Sequence, residues 1–125
     1  MPISSYSGKR FICEIVNNLK HEKLLDIGCG SGTYAKLFPN SKWTGVEVWA
    51  PYVEKFKLQE LYSNLEIIDA RQWATTEQFD IAFAGDVLEH MTADEAKALL
   101  DKLRNCADTV IVSRSEEHTS ELQSH

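Results

Sequence analysis

The sequence predicts a single α/β domain built on a doubly wound parallel sheet. Three observations lead there. Five short apolar runs alternate with helical patterns, a glycine-rich turn joins the first run to the helix after it, and a capping signature opens a helix between the last two runs.

Taken in chain order, Phe11, Ile12, Ile15, Val16 and Leu19 recur at three- and four-residue spacing, which marks the apolar face of a lead-in helix. Leu24 to Ile27 reads as the first buried strand. It runs straight into Gly28-Cys29-Gly30-Ser31-Gly32, a loop that glycine's access to positive φ allows to turn sharply. The next helix spans Thr33 to Phe38 and is stopped by Pro39.

Trp43 to Val48 predicts a second strand, and Pro51 opens the helix that follows, where its missing N–H would have no partner in any case. Leu65 to Ile68, Phe79 to Ala84 and Thr109 to Ser113 predict strands three, four and five. Thr92-Ala93-Asp94-Glu95 has capping-box form and starts a helix whose core face is Ala96, Leu99, Leu100 and Leu103. Short strands alternating with helices give a parallel sheet covered on both faces.

Composition narrows the function classes. With 125 residues, 43% hydrophobic and 26% charged, the chain has room for one ordinary globular core. No run reaches the roughly 18 apolar residues of a membrane helix, and Met1 to Ser5 carries no basic segment followed by an apolar run, so a cytoplasmic location with no membrane partner is expected. Cys13, Cys29 and Cys106 lack the spacing of a disulfide framework or a zinc site and read as small buried hydrophobes. A formal net charge of −6 disfavours a nucleic-acid partner.

The most informative motif is Asp26-Ile27-Gly28-Cys29-Gly30-Ser31-Gly32, a carboxylate at a strand end followed by glycines at alternate positions. Such a turn lets backbone approach a ligand closely. A dinucleotide fingerprint needs its third glycine one place later, where this chain has Thr33. With Asp26 two residues before Gly28, the segment resembles the first motif of class I, Rossmann-like S-adenosylmethionine-dependent methyltransferases. That resemblance implies a loop of Gly28, Cys29, Gly30 and Gly32 wrapped around the methionine part of S-adenosylmethionine.

Glu47 ends the second strand, where a carboxylate can accept from two ribose hydroxyls, and Val48 follows it. Asp69-Ala70 resembles the family motif whose acidic side chain accepts from the adenine amino group. Trp49 is a candidate to pack on the adenine face, with plain core or interface packing as the alternative.

After the fourth strand, Gly85-Asp86-Val87-Leu88-Glu89-His90-Met91 stands at the carboxyl edge, where ligands of open α/β sheets bind. The D-V-L-E-H run resembles the fourth motif of many small-molecule methyltransferases. This implies that Gly85 and Asp86 line the methionine and sulfonium end of the cofactor, while Glu89 and His90 face the acceptor. His90 is the candidate general base, with a structural hydrogen bond as its alternative role. In related ubiquinone-pathway O-methyltransferases an E-x-x-E-H arrangement binds a metal. Asp86, Glu89 and His90 match it with Asp for the first Glu, but three ligands on one loop do not lead us to expect a metal.

The resemblance runs from about Lys23 to Ser113 and implies methyl transfer to an O, N or C atom, with a small-molecule acceptor as the default and a protein substrate open. A non-catalytic cofactor-binding module and an NAD-dependent oxidoreductase are the rival readings. Family members carry seven strands and this sequence supplies five, so residues 1–113 are expected to be a methyltransferase domain truncated after the fifth strand. Its last strand would then lack a neighbour on one side, at a cost in stability. Residues 114–125 hold one large apolar residue, Leu122. Arg114 to Ser124 resembles one reading frame of a sequencing-adapter oligonucleotide, so a non-native or disordered tail is expected there.

Overall fold

The computed structural model describes residues 8–112, and the expectation for residues 114–125 falls outside them. Five parallel strands form one sheet in the order β3-β2-β1-β4-β5: β1 (Lys23–Ile27), β2 (Lys42–Val46), β3 (Asn64–Glu66), β4 (Phe79–Ala84) and β5 (Ala107–Val112). Four α-helices cover it: α1 (Gly8–Asn17), α2 (Thr33–Leu37), α3 (Ala50–Lys55) and α4 (Ala93–Cys106). Two short 3₁₀ turns, Leu58–Glu60 and Asp86–His90, were not anticipated from the periodicity. Each holds too few residues to show a repeat.

Apolar strands buried on both faces explain how a continuous run feeds two cores. On β1, Leu24 packs with α1, α2 and α3 residues, whereas Leu25 and Ile27 pack with α4. On β4, Ile81 and Phe83 face the first layer and Ala82 and Ala84 the second. Each fully buried Leu, Ile or Phe stabilises the fold by about 1.5–3 kcal/mol. The lead-in helix contributes Ile12 and Val16 to the first layer.

Helix α4 starts as expected. The Thr92 hydroxyl accepts from the Glu95 N–H at 3.2 Å, and Glu95 Oε1 accepts from the Thr92 N–H at 2.9 Å. Leu99, Leu103 and Cys106 form its buried face, while Ala96 and Leu100 are half-buried at the margin. Cys106 abuts β5 directly, so this strand begins at Ala107, paired with Phe79, two residues before the expected Thr109. Of the cysteines, Cys29 and Cys106 are buried and Cys13 is half-buried.

Strands β2 and β3 end earlier than the apolar runs suggest. The Glu47 N–H still donates to the Glu66 carbonyl at 3.0 Å, but the backbone then leaves the ladder for the loops that build the cleft. Between β1 and β4 the strand order reverses direction, since β2 follows β1 on one side and β4 lies on the other. In open α/β sheets that reversal opens a crevice at the carboxyl edge.

Candidate active site

A cleft of about 650 Å³ opens at that edge. Its floor is the turn after β1. Gly28 takes φ +77° and Gly30 takes +54°, a left-handed backbone that disfavours any side chain. The Gly28 N–H donates to the Val46 carbonyl at 2.8 Å and so pins the turn to β2. Gly28, Cys29 and Gly30 line the cleft. Gly32 does not: it is buried at the start of α2 and donates to the Cys29 carbonyl at 2.9 Å.

Glu47 is 6% exposed, and each of its carboxylate oxygens accepts one backbone hydrogen bond. Oε1 accepts from the Gly30 N–H at 2.8 Å and Oε2 from the Trp49 N–H at 2.9 Å. The side chain therefore ties the glycine turn to the loop after β2. Each oxygen retains a second lone pair, on a side chain that lines the cleft. Val48 lines the cleft as well, whereas Trp49 is 56% exposed and stands away from it. Tyr52 of α3, and not Trp49, is the aromatic of this segment that lines the cleft.

Asp26 lies beneath the turn rather than in the cleft lining. It is 1% exposed and accepts from the Tyr62 hydroxyl at 2.6 Å. Burial pushes its pKa up to about 7, opposed by the Tyr62 hydrogen bond, with the Glu47 charge adding to the rise. The Cys29 thiol packs into the same space, 3.6 Å from the Asp26 carbonyl and 3.7 Å from that of Val46. Burial drives this thiol well above its usual range, so it packs as an un-ionised group.

The opposite wall follows β3. Ile68, Asp69, Ala70 and Arg71 line it. Asp69 accepts from Arg71 through Nε at 3.0 Å, Nη2 at 2.6 Å and the backbone N–H at 2.8 Å. The hydrogen bonds of the Arg71 side chain, then that of its backbone, hold the Asp69 carboxyl down at about 2. Arg71 was not singled out from the sequence, although its place two residues after Asp69 permits the contact.

Gly85, Val87, His90 and Met91 close the far end. His90 is exposed and ends the 3₁₀ turn; it does not start α4, which Thr92 caps. Tyr34 reaches the cleft from α2, stacked on Phe83 at 4.7 Å between ring centroids. The side chain of Asp86 lies outside the described part of the structure, and with it the Asp86, Glu89 and His90 grouping. Among the described residues no three His, Cys, Asp or Glu side chains gather as a metal site.

A family model described as a methyltransferase domain matches residues 24–109. The chain belongs to this methyltransferase domain family. Among solved structures it is similar to an S-adenosylmethionine-dependent methyltransferase from Clostridium acetobutylicum, with a TM-score of 0.67 and 22% identity over 85% of this chain and 47% of that one. Magnesium protoporphyrin IX methyltransferase from Synechocystis, solved with bound S-adenosylmethionine, gives 0.66 and 20% over 86% and 57%. Coclaurine N-methyltransferase, bound to N-methylheliamine and S-adenosylhomocysteine, gives 0.66 and 18% over 86% and 35%. At these identities the likeness is one of fold. The chain spans about half the length of the first of these structures, and none of the curated proteins matches it. The family's sheet accordingly agrees with the Rossmann-like order observed here.

Proposed function

We propose that the chain forms the S-adenosylmethionine-binding part of a methyltransferase acting on an O, N or C atom of a small molecule. The observation that carries this reading is the convergence, in one cleft at the strand-order reversal, of the turn at Gly28 to Gly30 with the carboxylates of Glu47 and Asp69.

The residues fit the cofactor by their chemistry. Gly28, Cys29 and Gly30 present side-chain-poor backbone to its methionine part, with Gly85 across from them. The spare lone pairs of Glu47 suit two ribose hydroxyls. Val48, Ile68 and Ala70 offer apolar surface for a purine, and Asp69 an acceptor for its amino group. Asp26 acts from below by supporting the turn, and Gly32 by letting α2 start close to it. When bound, the sulfonium supplies an activated methyl group, so much of the protein's task is to hold donor and acceptor in position.

His90, which lines the cleft, is assigned here the role of a general base that takes a proton from a hydroxyl or amine of the acceptor. The relatives support a small acceptor: coclaurine N-methyltransferase was solved with N-methylheliamine. A cytoplasmic location agrees with the free thiols of Cys13, Cys29 and Cys106, and no helix among the described residues is long and apolar enough to cross a membrane.

Calorimetric titration of the folded chain with S-adenosylhomocysteine and, separately, with NADH tests the reading. Binding of S-adenosylhomocysteine alone, weakened by Glu47→Ala, is the expected result. Binding of NADH alone overturns it in favour of an oxidoreductase.

A further inference from the structure

The Asp69 carboxylate has about four acceptor sites, and three are filled by Arg71. Oδ1 takes both Nε at 3.0 Å and the backbone N–H at 2.8 Å, and Oδ2 takes Nη2 at 2.6 Å. One site on Oδ2 is left, on a side chain that lines the cleft beside Ile68 and Ala70.

The guanidinium is itself anchored. Its Nη1 donates to Glu95 Oε2 at 3.1 Å, and the other Glu95 oxygen is held by the Thr92 N–H in the α4 cap. The Lys102 ammonium binds the backbone carbonyls of Arg71 at 3.2 Å and Trp73 at 2.5 Å, so the main chain carrying the fork is also tied to α4. A planar fork fixed at both ends stops the carboxylate rotating and keeps it ionised.

We infer that Arg71 is a positioning residue for base recognition: by filling three acceptor sites of Asp69 and orienting the fourth, it makes the cleft select a purine bearing an amino group over one bearing an oxo group. This rests on the cofactor reading above. An amino group donates to the remaining Oδ2 site, whereas an oxo oxygen meets it acceptor to acceptor. Removing the fork frees the carboxylate to turn toward water, and base selection is lost while the ribose and methionine contacts persist.

The test is calorimetry of the full chain and its Arg71→Gln and Asp69→Asn variants with S-adenosylhomocysteine and its inosine counterpart, in which the amino group is replaced by oxo. The unaltered chain is expected to prefer the adenine compound by about tenfold or more. In Arg71→Gln that preference falls to within about threefold, as it does in Asp69→Asn, with far-UV circular dichroism unchanged. A merely structural role for Arg71 weakens both compounds equally and leaves the ratio intact. A ratio kept in Arg71→Gln but lost in Asp69→Asn overturns the role of Arg71. If both variants keep it, Asp69 does not read the base and the inference fails with it. If the unaltered chain binds neither compound, the cofactor reading itself is overturned.

Discussion

The Tyr62 hydroxyl donates to Asp26 Oδ2 at 2.6 Å across 36 positions of sequence, joining the end of β1 to the segment after the first 3₁₀ turn. Among the described residues neither group forms an ion pair. The pair sits under the glycine turn with the Cys29 thiol, and Gly45 is required beside it: a Cβ at that position meets Cys29 Sγ at 2.6 Å and Tyr62 Cδ2 at 2.7 Å.

Asp26 makes stability depend on pH with an unusual sign for a carboxylate. Its pKa rises from the ordinary 3.8 to about 7 on folding, so between those values the folded chain holds a proton that the unfolded chain has released. Stability from this group is complete below about pH 4 and declines as pH rises through about 7, by at most about 1.4 kcal/mol per pH unit. Denaturant titrations from pH 4 to 8 should show Asp26→Asn with a flatter profile than the unaltered chain. An identical slope in both refutes the assignment.

Tyr62→Phe removes the hydrogen bond that opposes the rise. We expect a loss of about 1 kcal/mol at pH 5, where the acid is neutral, and about 2–3 kcal/mol at pH 8, where the bond had stabilised the ionised form and the buried acid must now hold its proton. Equal losses at the two pH values count against a proton shared in this way.

Alanine substitutions separate backbone conformation from crowding in the turn. At Gly30, φ is +54° and a Cβ meets nothing within 4 Å, so Gly30→Ala should cost only about 1–2 kcal/mol for the left-handed backbone. At Gly32, φ is +79° and a Cβ lies 2.5 Å from Leu61 Cδ1. Gly32→Ala should therefore cost more, by up to about 1 kcal/mol, since the half-buried Leu61 side chain must shift to make room. Urea midpoints in the reverse order contradict this geometry.

Glu47→Gln keeps one acceptor oxygen for two backbone donors and turns an N–H₂ toward the other. S-adenosylhomocysteine affinity is expected to fall about tenfold or more, from lost ribose contacts and a loosened turn. Unchanged affinity by calorimetry removes Glu47 from the cofactor site.

Thr92→Ala removes the hydroxyl that accepts from the Glu95 N–H at the start of α4, while the backbone N–H of residue 92 can still donate to Glu95 Oε1. A loss of about 1 kcal/mol is expected in urea denaturation. No change in midpoint means the cap contributes nothing in solution.

What the chain's local order established was the framework. Alternating runs predicted all five strands and the parallel sheet, because side-chain periodicity is a property of neighbours within a few residues. The G-C-G-S stretch from Gly28 to Ser31 and Glu47 likewise fall in the cleft lining, since a strand, a tight turn and a strand-end carboxylate are each short-range features. The capping box was legible for the same reason, as its two hydrogen bonds span three residues.

Contacts between distant segments set everything else. Asp26 carries a cofactor-loop motif, yet the fold turns it to Tyr62 and away from the cleft lining, with Tyr62 brought beneath the turn by the segment that follows the 3₁₀ turn at Leu58–Glu60, itself packed on α3 and β3. Trp49 is the larger aromatic near Glu47, but the direction of α3 brings Tyr52 to the cleft and leaves Trp49 in solvent. The local bonds of Arg71 to Asp69 span two residues, but its second anchor came with α4, which brings Glu95 alongside, 24 positions on. Residue type and spacing specify which groups are available; which of them meet depends on how sheet and helices bury their apolar faces, and that is a property of the whole chain.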